Sequence, residues 1–147
     1  MEERLAFIHW LENLDTNPMH FWMILGDFNL IRGPEDRNKL GGDVHNMLMF
    51  NRIISHHDLI KIPLKGRSYT WSNMQEEPLL EKLDWVFTSA SWTSVFPNTI
   101  SCPLAKLSSD HVPIRIQVGT DVPKAKVFCF EDFWIESQGF MDIVSLN

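Results

Sequence analysis

The chain is poor in the residues that mark disulfide-rich, redox or membrane proteins. It has two cysteines, Cys102 and Cys129, without the Cys-x-x-Cys spacing of metal or redox motifs, so we expect free thiols in a reducing compartment. The strongest apolar run, Phe21 to Leu25, is far too short to span a membrane, and no signal-peptide pattern is visible. The sequence therefore predicts a soluble, intracellular protein with no membrane partner, and it leaves nucleus and cytoplasm unresolved.

Positive charge is also scarce. The chain has 13 Lys and Arg residues and 19 Asp and Glu residues, which give a net charge of −6. General nucleic-acid binders usually have a basic surface, so this balance is not typical of them. An acidic metal pocket contributes to the same sign, so nuclease chemistry is not excluded. Aromatic residues are plentiful, with ten Phe and six Trp in 147 residues, which is enough for one domain with a packed core.

Helical spacing of apolar residues marks two segments. The first set is Phe7, Trp10, Leu11 and Leu14, and the second is Phe50, Ile53, Ile54 and His57. Asp43 is suited to begin the second helix as its N-cap, and Ser89 to begin a short third helix that extends to Phe96.

Strand composition marks several short segments. The continuous apolar run from Phe21 to Leu25 is typical of a strand buried on both faces. Further strands are predicted at 59–62, 68–71, 83–87, 99–100 and 112–118. Helices and strands are mixed without regular alternation, which indicates an α+β fold.

Two polar motifs stand against apolar runs, Gly26-Asp27-Phe28-Asn29 and Ser109-Asp110-His111-Val112-Pro113-Ile114. Residues two apart on a strand share a face, so Asp27 and Asn29 should lie together while Phe28 points into the core. A carboxylate and an amide placed side by side can hold a phosphate and an activated water. The alternative is an ordinary strand-ending turn, in which Asp and Asn are both common.

His111 and Asp84 are the candidates for acid–base chemistry. Histidine changes charge near neutral pH and can transfer protons or stabilise phosphoryl charge. Asp84 lies in the apolar run from Leu83 to Phe87, where an unpaired carboxylate is costly. Pairing relieves that cost and fixes the imidazole tautomer, so we expect a separation of roughly 2.6–3.2 Å between the two groups. The plainer alternatives are a surface-loop histidine and a solvent-facing aspartate.

The order and context of these motifs resemble the C-terminal half of the exonuclease-endonuclease-phosphatase family. The closest resemblance is to the endonuclease domain of plant LINE-type (non-LTR) retrotransposons. It rests on the Gly-Asp-Phe-Asn, Leu-Asp and Ser-Asp-His-x-Pro-Ile motifs, together with Tyr69-Thr70-Trp71-Ser72-Asn73, the segment 91–97 and the aromatic segment 128–134. It covers nearly the whole chain.

The resemblance implies a set of catalytic residues, a metal ligand, a cofactor and a partner. Asp27 would orient or deprotonate the attacking water, Asn29 would hold the phosphate, and His111, steered by Asp84, would stabilise the transition state. Asp110 would be a metal ligand or would support one. The implied cofactor is Mg²⁺ and the implied partner is DNA. We therefore expect the side chains of Asp27, Asn29, Asp110 and His111 to converge at one end of a sheet.

The resemblance also implies a partial four-layer α/β/β/α sandwich over residues 1–120, followed by an aromatic tail at 121–147. The family's N-terminal half, with its metal-binding Glu, has no counterpart in the sequence, so we expect weak metal binding and a sheet with one uncovered face. The leading hypothesis is a retrotransposon-derived remnant of a Mg²⁺-dependent endonuclease that is inactive as an isolated fragment. The alternatives are a non-catalytic interaction module that self-associates through the uncovered sheet, and a phosphatase of the same family.

Overall fold

The computed structural model describes residues 2–17, 19–105 and 108–119 of the chain. Its elements are α1 (Glu2–Glu12), β1 (Met23–Asp27), a 3-10 helix (Pro34–Asp36), α2 (Val44–His56), β2 (Ile60–Lys61), β3 (Trp71–Ser72), β4 (Leu80–Glu81), β5 (Asp84–Thr88), α3 (Ala90–Val95), β6 (Ile100–Pro103) and β7 (Ile114–Gln117). The fold is mixed α+β, as the sequence predicted. The aromatic tail and Cys129 lie outside the described residues, and Cys102 is a half-buried free thiol.

Three small antiparallel sheets form the β-structure. The largest has the order β1-β5-β2, and the other two are the pairs β3-β4 and β6-β7. In the β1–β5 register, Met23 lies opposite Thr88 and Asp27 lies opposite Asp84. The end of β1 and the start of β5 therefore meet at one end of the three-stranded sheet.

An aromatic core joins this sheet to α1 and α2. Phe50 of α2 has no exposed surface, and its ring centroid lies 5.6 Å from Phe28 and 6.1 Å from Trp85 and Phe87 of the sheet. Leu11 of α1 is also fully buried in the same cluster. Each large apolar side chain buried here contributes about 1.5–3 kcal/mol relative to an exposed one. This packing fixes β5, and with it the position of Asp84.

Local sequence signals place α2 and α3 correctly. The Asp43 carboxylate caps α2 by accepting the Asn46 N–H at 3.1 Å, and the hydroxyl of Ser89 caps α3 by accepting the Trp92 N–H at the same distance. Phe50, Ile53 and Ile54 are buried along one face of α2, as their spacing predicted. His57 is the residue that follows α2 and ends it.

The predicted apolar face of α1 is only partly correct. Leu11 is buried and Phe7 packs against the core, but Trp10 is 52% exposed and Ile8 is buried instead. The helix ends at Glu12, so Leu14 reaches the core from the segment beyond it. Trp10 stacks on Phe7 at 5.8 Å on the outer side of the helix.

The prediction that β1 is buried on both faces is wrong. Ile24 packs against the core, but Leu25 is 55% exposed and Phe21, which precedes the strand, is 58% exposed. The reason is that α1 and α2 cover only the core-facing side of the sheet. Within the described ranges, the opposite side of β1 is therefore open at Leu25.

The remaining strands lie within three residues of their predicted positions. The segments expected at 59–62, 68–71, 83–87, 99–100 and 112–118 correspond to β2, β3, β5, β6 and β7, respectively. Among the residues with described structure, no helix combines the length and the apolar character needed to cross a membrane.

Candidate functional site

His111 lies between two carboxylates. Its Nδ1 is 2.9 Å from Oδ2 of Asp84, and its Nε2 is 3.7 Å from Oδ2 of Asp27. The predicted Asp84–His111 hydrogen bond is therefore present. Because an ionised carboxylate can only accept, we assign the proton of the neutral ring to Nδ1, and in that tautomer Nε2 is an acceptor.

Strand register brings the two carboxylates together. Asp27 ends β1 and Asp84 begins β5, and the two residues are direct cross-strand partners. His111 comes from the segment before β7, where the next residue, Val112, is buried and donates its backbone N–H to the Thr70 carbonyl at 2.8 Å. The site thus assembles from three segments that are far apart in the sequence.

Thr70 fixes the start of β5. Its side chain has no exposed surface, and its hydroxyl oxygen accepts the backbone N–H groups of Leu83 and Asp84, each at 3.0 Å. Sequence reasoning gave Thr70 no role. Its only signal was membership of the Tyr69-Thr70-Trp71-Ser72-Asn73 motif, because a single buried hydroxyl produces no periodic pattern.

Asn29 lies beside Asp27 for a reason that differs from the predicted one. Asn29 has φ 51°, a left-handed conformation that Asn adopts more easily than most residues. Asp27 accepts the backbone N–H of Asn29 through Oδ1 and its side-chain N–H through Oδ2, each at 2.9 Å. The strand-ending turn, which the sequence left open as an alternative, is the observed conformation, and it still places both polar groups together. Phe28 points into the core as expected.

Asp110 is adjacent to His111 in sequence, but its carboxylate contacts β3. Its Oδ2 accepts the indole N–H of Trp71 at 3.0 Å, and this bond is the main cause that lowers the pKa of the Asp110 carboxyl below its ordinary value. Within the described residues, the acidic and imidazole groups that lie within 4.8 Å of one another are Asp27, Asp84 and His111. The carboxylate of Asp110 is outside that group, and its role as a metal ligand stays a prediction.

Replacing Trp71 by Phe should raise the pKa of Asp110 toward its ordinary value of 3.8, because the indole donor is lost. A carboxylate with a depressed pKa adds stability above its unfolded pKa, and this stability disappears as the pH falls through the folded pKa. The loss of packing against Ile31, Met47 and Leu83 lowers the stability of the variant at every pH, and the additional loss from Asp110 should be present above about pH 4 and absent in stronger acid. NMR titration of the Asp110 carboxyl carbon measures the shift.

The matched control for this titration is Trp92→Phe, because the Trp92 indole donates to the Thr99 hydroxyl and should not affect Asp110. An Asp110 midpoint that is the same in wild type and Trp71→Phe would contradict the assignment.

A cleft of about 270 Å³ adjoins Asp84 and His111. Its other lining residues are mainly apolar: Leu25, Gly26, Trp85, Val86, Ser109, Val112, Pro113 and Ile114. A small group that enters this cleft would meet an apolar wall on one side and the two polar side chains on the other.

The side chains present fit a magnesium ion only in part. Mg²⁺ prefers oxygen ligands in an octahedron and usually keeps several waters. All three carboxylates already accept hydrogen bonds: Asp27 from Asn29, Asp84 from His111 and Asp110 from Trp71. Asp27 is partly exposed and belongs to the group of side chains within 4.8 Å of one another, so its remaining lone pairs would hold the ion, which when bound would neutralise charge on a phosphate oxygen.

No family model, curated protein or solved structure matches this chain. The resemblance to the exonuclease-endonuclease-phosphatase family is a resemblance of sequence motifs.

Proposed function

We propose that the chain is a phosphodiester-hydrolase module of the exonuclease-endonuclease-phosphatase type, related to retrotransposon endonucleases, with DNA as substrate and Mg²⁺ as cofactor. One observation carries the proposal: His111 is hydrogen-bonded to Asp84 at 2.9 Å and faces Asp27 at 3.7 Å. These three residues come from three different motifs that resemble one family. A shared active site therefore explains their proximity better than coincidence does.

The arrangement suits general acid–base chemistry on a phosphodiester. Asp84 holds the imidazole through Nδ1, so Nε2 of the neutral ring can accept a proton, and the protonated ring can then donate that proton from Nε2 to a phosphate oxygen. The Asp27 carboxylate lies 3.7 Å from Nε2 of His111, so it can accept a proton from an attacking water bound beside the imidazole. The side-chain amide of Asn29 uses one N–H on Asp27 and keeps a second N–H for a phosphate oxygen.

The proposal includes the four-layer architecture of the family. The sheet β1-β5-β2 carries helices on its core-facing side and is open at Leu25 on the other side. We take this as one sheet-and-helix half of a four-layer α/β/β/α sandwich. The β6-β7 pair, which contributes Ile114 to the cleft, would belong to the facing layer.

Assayed alone, the 147-residue chain should cleave DNA slowly or not at all, because one partly exposed carboxylate holds Mg²⁺ weakly. The test is nicking of supercoiled plasmid with Mg²⁺ against EDTA, using wild type, Asp27→Asn and the matched control Asp15→Asn, which changes an exposed aspartate. We expect any nicking above background to vanish in Asp27→Asn and to persist in Asp15→Asn. Nicking that survives Asp27→Asn would contradict the site.

Metal binding provides a second readout that does not need turnover. Mn²⁺ should broaden the backbone NMR signals of Asn29 and His111 in wild type, and this broadening should disappear in Asp27→Asn. Failure of both the nicking and the broadening assays would reject the proposal. Hydrolysis of p-nitrophenyl phosphate without any nicking of DNA would instead favour a phosphatase.

A second candidate function is a non-catalytic interaction module. It is favoured by the 58% exposure of Phe21 and the 55% exposure of Leu25 beside β1, which is an edge strand of its sheet within the described part of the chain. Size-exclusion chromatography with light scattering tests it. A monomer at all concentrations would count against self-association.

A further inference from the structure

Three cationic side chains surround the ring of one buried tryptophan. The Lys82 Nζ lies 4.7 Å from the Trp85 ring centroid, and the Lys61 Nζ and Arg32 Cζ each lie 5.8 Å from it. Trp85 itself is only 2% exposed. In a chain with a net charge of −6, such a concentration of positive charge stands out. We call these three cations the Trp85 patch.

The patch carries more positive charge than its neighbours neutralise. Across residues 2–17, 19–105 and 108–119, no ion pair joins any of the three cations to a carboxylate. Asp36 is the acidic group that acts on Lys82, but its Oδ2 already accepts the backbone N–H groups of Arg32 and Gly33. Burial lowers the pKa of Lys82, and the charges of Lys61 and Arg32 lower it further.

Stabilisation by the indole does not account for three cations at one ring. A cation beside a tryptophan is attracted by the negative face of the ring, but each such contact is modest. Here, that attraction is opposed by the mutual repulsion of like charges and by the partial desolvation of Lys82. An oxyanion bound among the three groups would offset both costs at once.

Lys82 of the patch lies at the end of the three-stranded sheet that carries the candidate site. Trp85 follows Asp84 directly in β5, so their side chains point to opposite faces of the strand. Lys82 lies in the link just before β5, and Lys61 is paired with Phe87 across β2 and β5. A polymer that crosses this end of the sheet can therefore reach both places, whereas a single phosphate ion cannot.

We propose that Arg32, Lys61 and Lys82 form a phosphate-binding patch that contacts the backbone of a nucleic acid away from the scissile bond. The identification of the bound polymer rests on the proposed function, whereas the affinity of the patch for phosphate oxyanions does not. The contact is to phosphate and not to bases, so it adds affinity without sequence preference.

The test measures binding of the full 147-residue chain to a fluorescein-labelled DNA duplex by anisotropy, in EDTA and over a range of NaCl concentrations. Lys61→Gln and Lys82→Gln should each weaken binding about threefold or more and lower the slope of log affinity against log salt by about 1. Lys65→Gln is the matched control, because Lys65 is an exposed lysine outside the patch, and it should change neither quantity. Arg32 is left in place because its Nε holds the Asn51 side chain at 2.8 Å. Thermal melting by circular dichroism confirms that each variant is folded.

Each outcome decides the proposal. Unchanged affinity and salt slope in both patch variants overturns it, as does the absence of DNA binding by the wild-type chain. Inorganic phosphate is the second probe: if it competes with DNA at equal phosphate concentration, the patch takes small phosphates and the nucleic-acid assignment fails. Because EDTA removes the metal from these measurements, the patch can fail while the Mn²⁺ test at Asp27 succeeds, and the reverse also holds.

Discussion

Replacing Thr70 by Val should lower the free energy of unfolding by about 2–6 kcal/mol. Valine has nearly the same shape as threonine, so the packing of this fully buried side chain is kept. The loss comes from the hydroxyl oxygen, which accepts the backbone N–H groups of Leu83 and Asp84 at 3.0 Å each. Two donors at the start of β5 would be left without a partner, and a buried donor of this kind costs about 1–3 kcal/mol.

Chemical denaturation at neutral pH measures the effect, and Thr70→Ser is its control. Serine keeps the hydroxyl and loses one methyl group, so this variant should lose about 1 kcal/mol. Equal stabilities of the Val and Ser variants would show that the two hydrogen bonds do not matter. If Thr70→Val also weakens the Asp84–His111 contact, the ring signals of His111 should broaden, because the backbone of Asp84 is then less firmly held.

The elements that the sequence predicted well depend on local signals. The helix α2 could be predicted from the spacing of Phe50, Ile53 and Ile54 together with the N-cap Asp43, because both signals lie within the helix or directly beside it. The pairing of Asp84 with His111 could be predicted for an energetic reason. A carboxylate in an apolar strand needs a partner, and the candidate motifs offered one.

The features that sequence reasoning missed depend on contacts across the fold. Burial of Leu25 was expected from composition, but composition does not say whether both faces of a sheet are covered. The bond from the Trp71 indole to Asp110 joins two residues of separate motifs and leaves no periodic trace. Asn29 lies next to Asp27 as expected, but a left-handed turn brings it there and not strand alternation. The sequence could not distinguish the two, because Asp and Asn are common both in turns and at strand ends.

The strand β5 connects the candidate site, the core and the Trp85 patch. Asp84 points to the imidazole of His111, and the next side chain, Trp85, is buried against Phe50 on the other face. Alternation along a single strand thus places the Asp84 carboxylate on one side and the Trp85 indole, with the three cations of the patch, on the other. A shift of β5 by one residue would exchange these environments, so the hydrogen bonds that the Thr70 hydroxyl accepts at the start of β5 have consequences on both faces.

The largest effect on chemistry is expected from Asp84→Ala. In the wild-type chain the Asp84 carboxylate accepts from Nδ1 of His111 at 2.9 Å, which fixes both the tautomer and the orientation of the ring. Without it, Nδ1–H has no acceptor at that position, and the nearest remaining carboxylate is Asp27 on the Nε2 side, 3.7 Å away.

The ring proton should therefore move from Nδ1 to Nε2, and Nε2 should cease to be an acceptor. Long-range ¹⁵N–¹H NMR of the imidazole measures this change, and His111→Gln assigns the signals. The phosphodiester cleavage that we propose for this site should fall by about 10²–10⁴-fold in any assembly that contains it, as expected when a histidine loses the carboxylate that orients it. Asp110→Ala is the control for the tautomer, because the carboxylate of Asp110 bonds to Trp71 and the wild-type Nδ1–H form of His111 should be kept. If His111 keeps its proton on Nδ1 after Asp84→Ala, the carboxylate does not set the tautomer, and the acid–base assignment of the site is wrong.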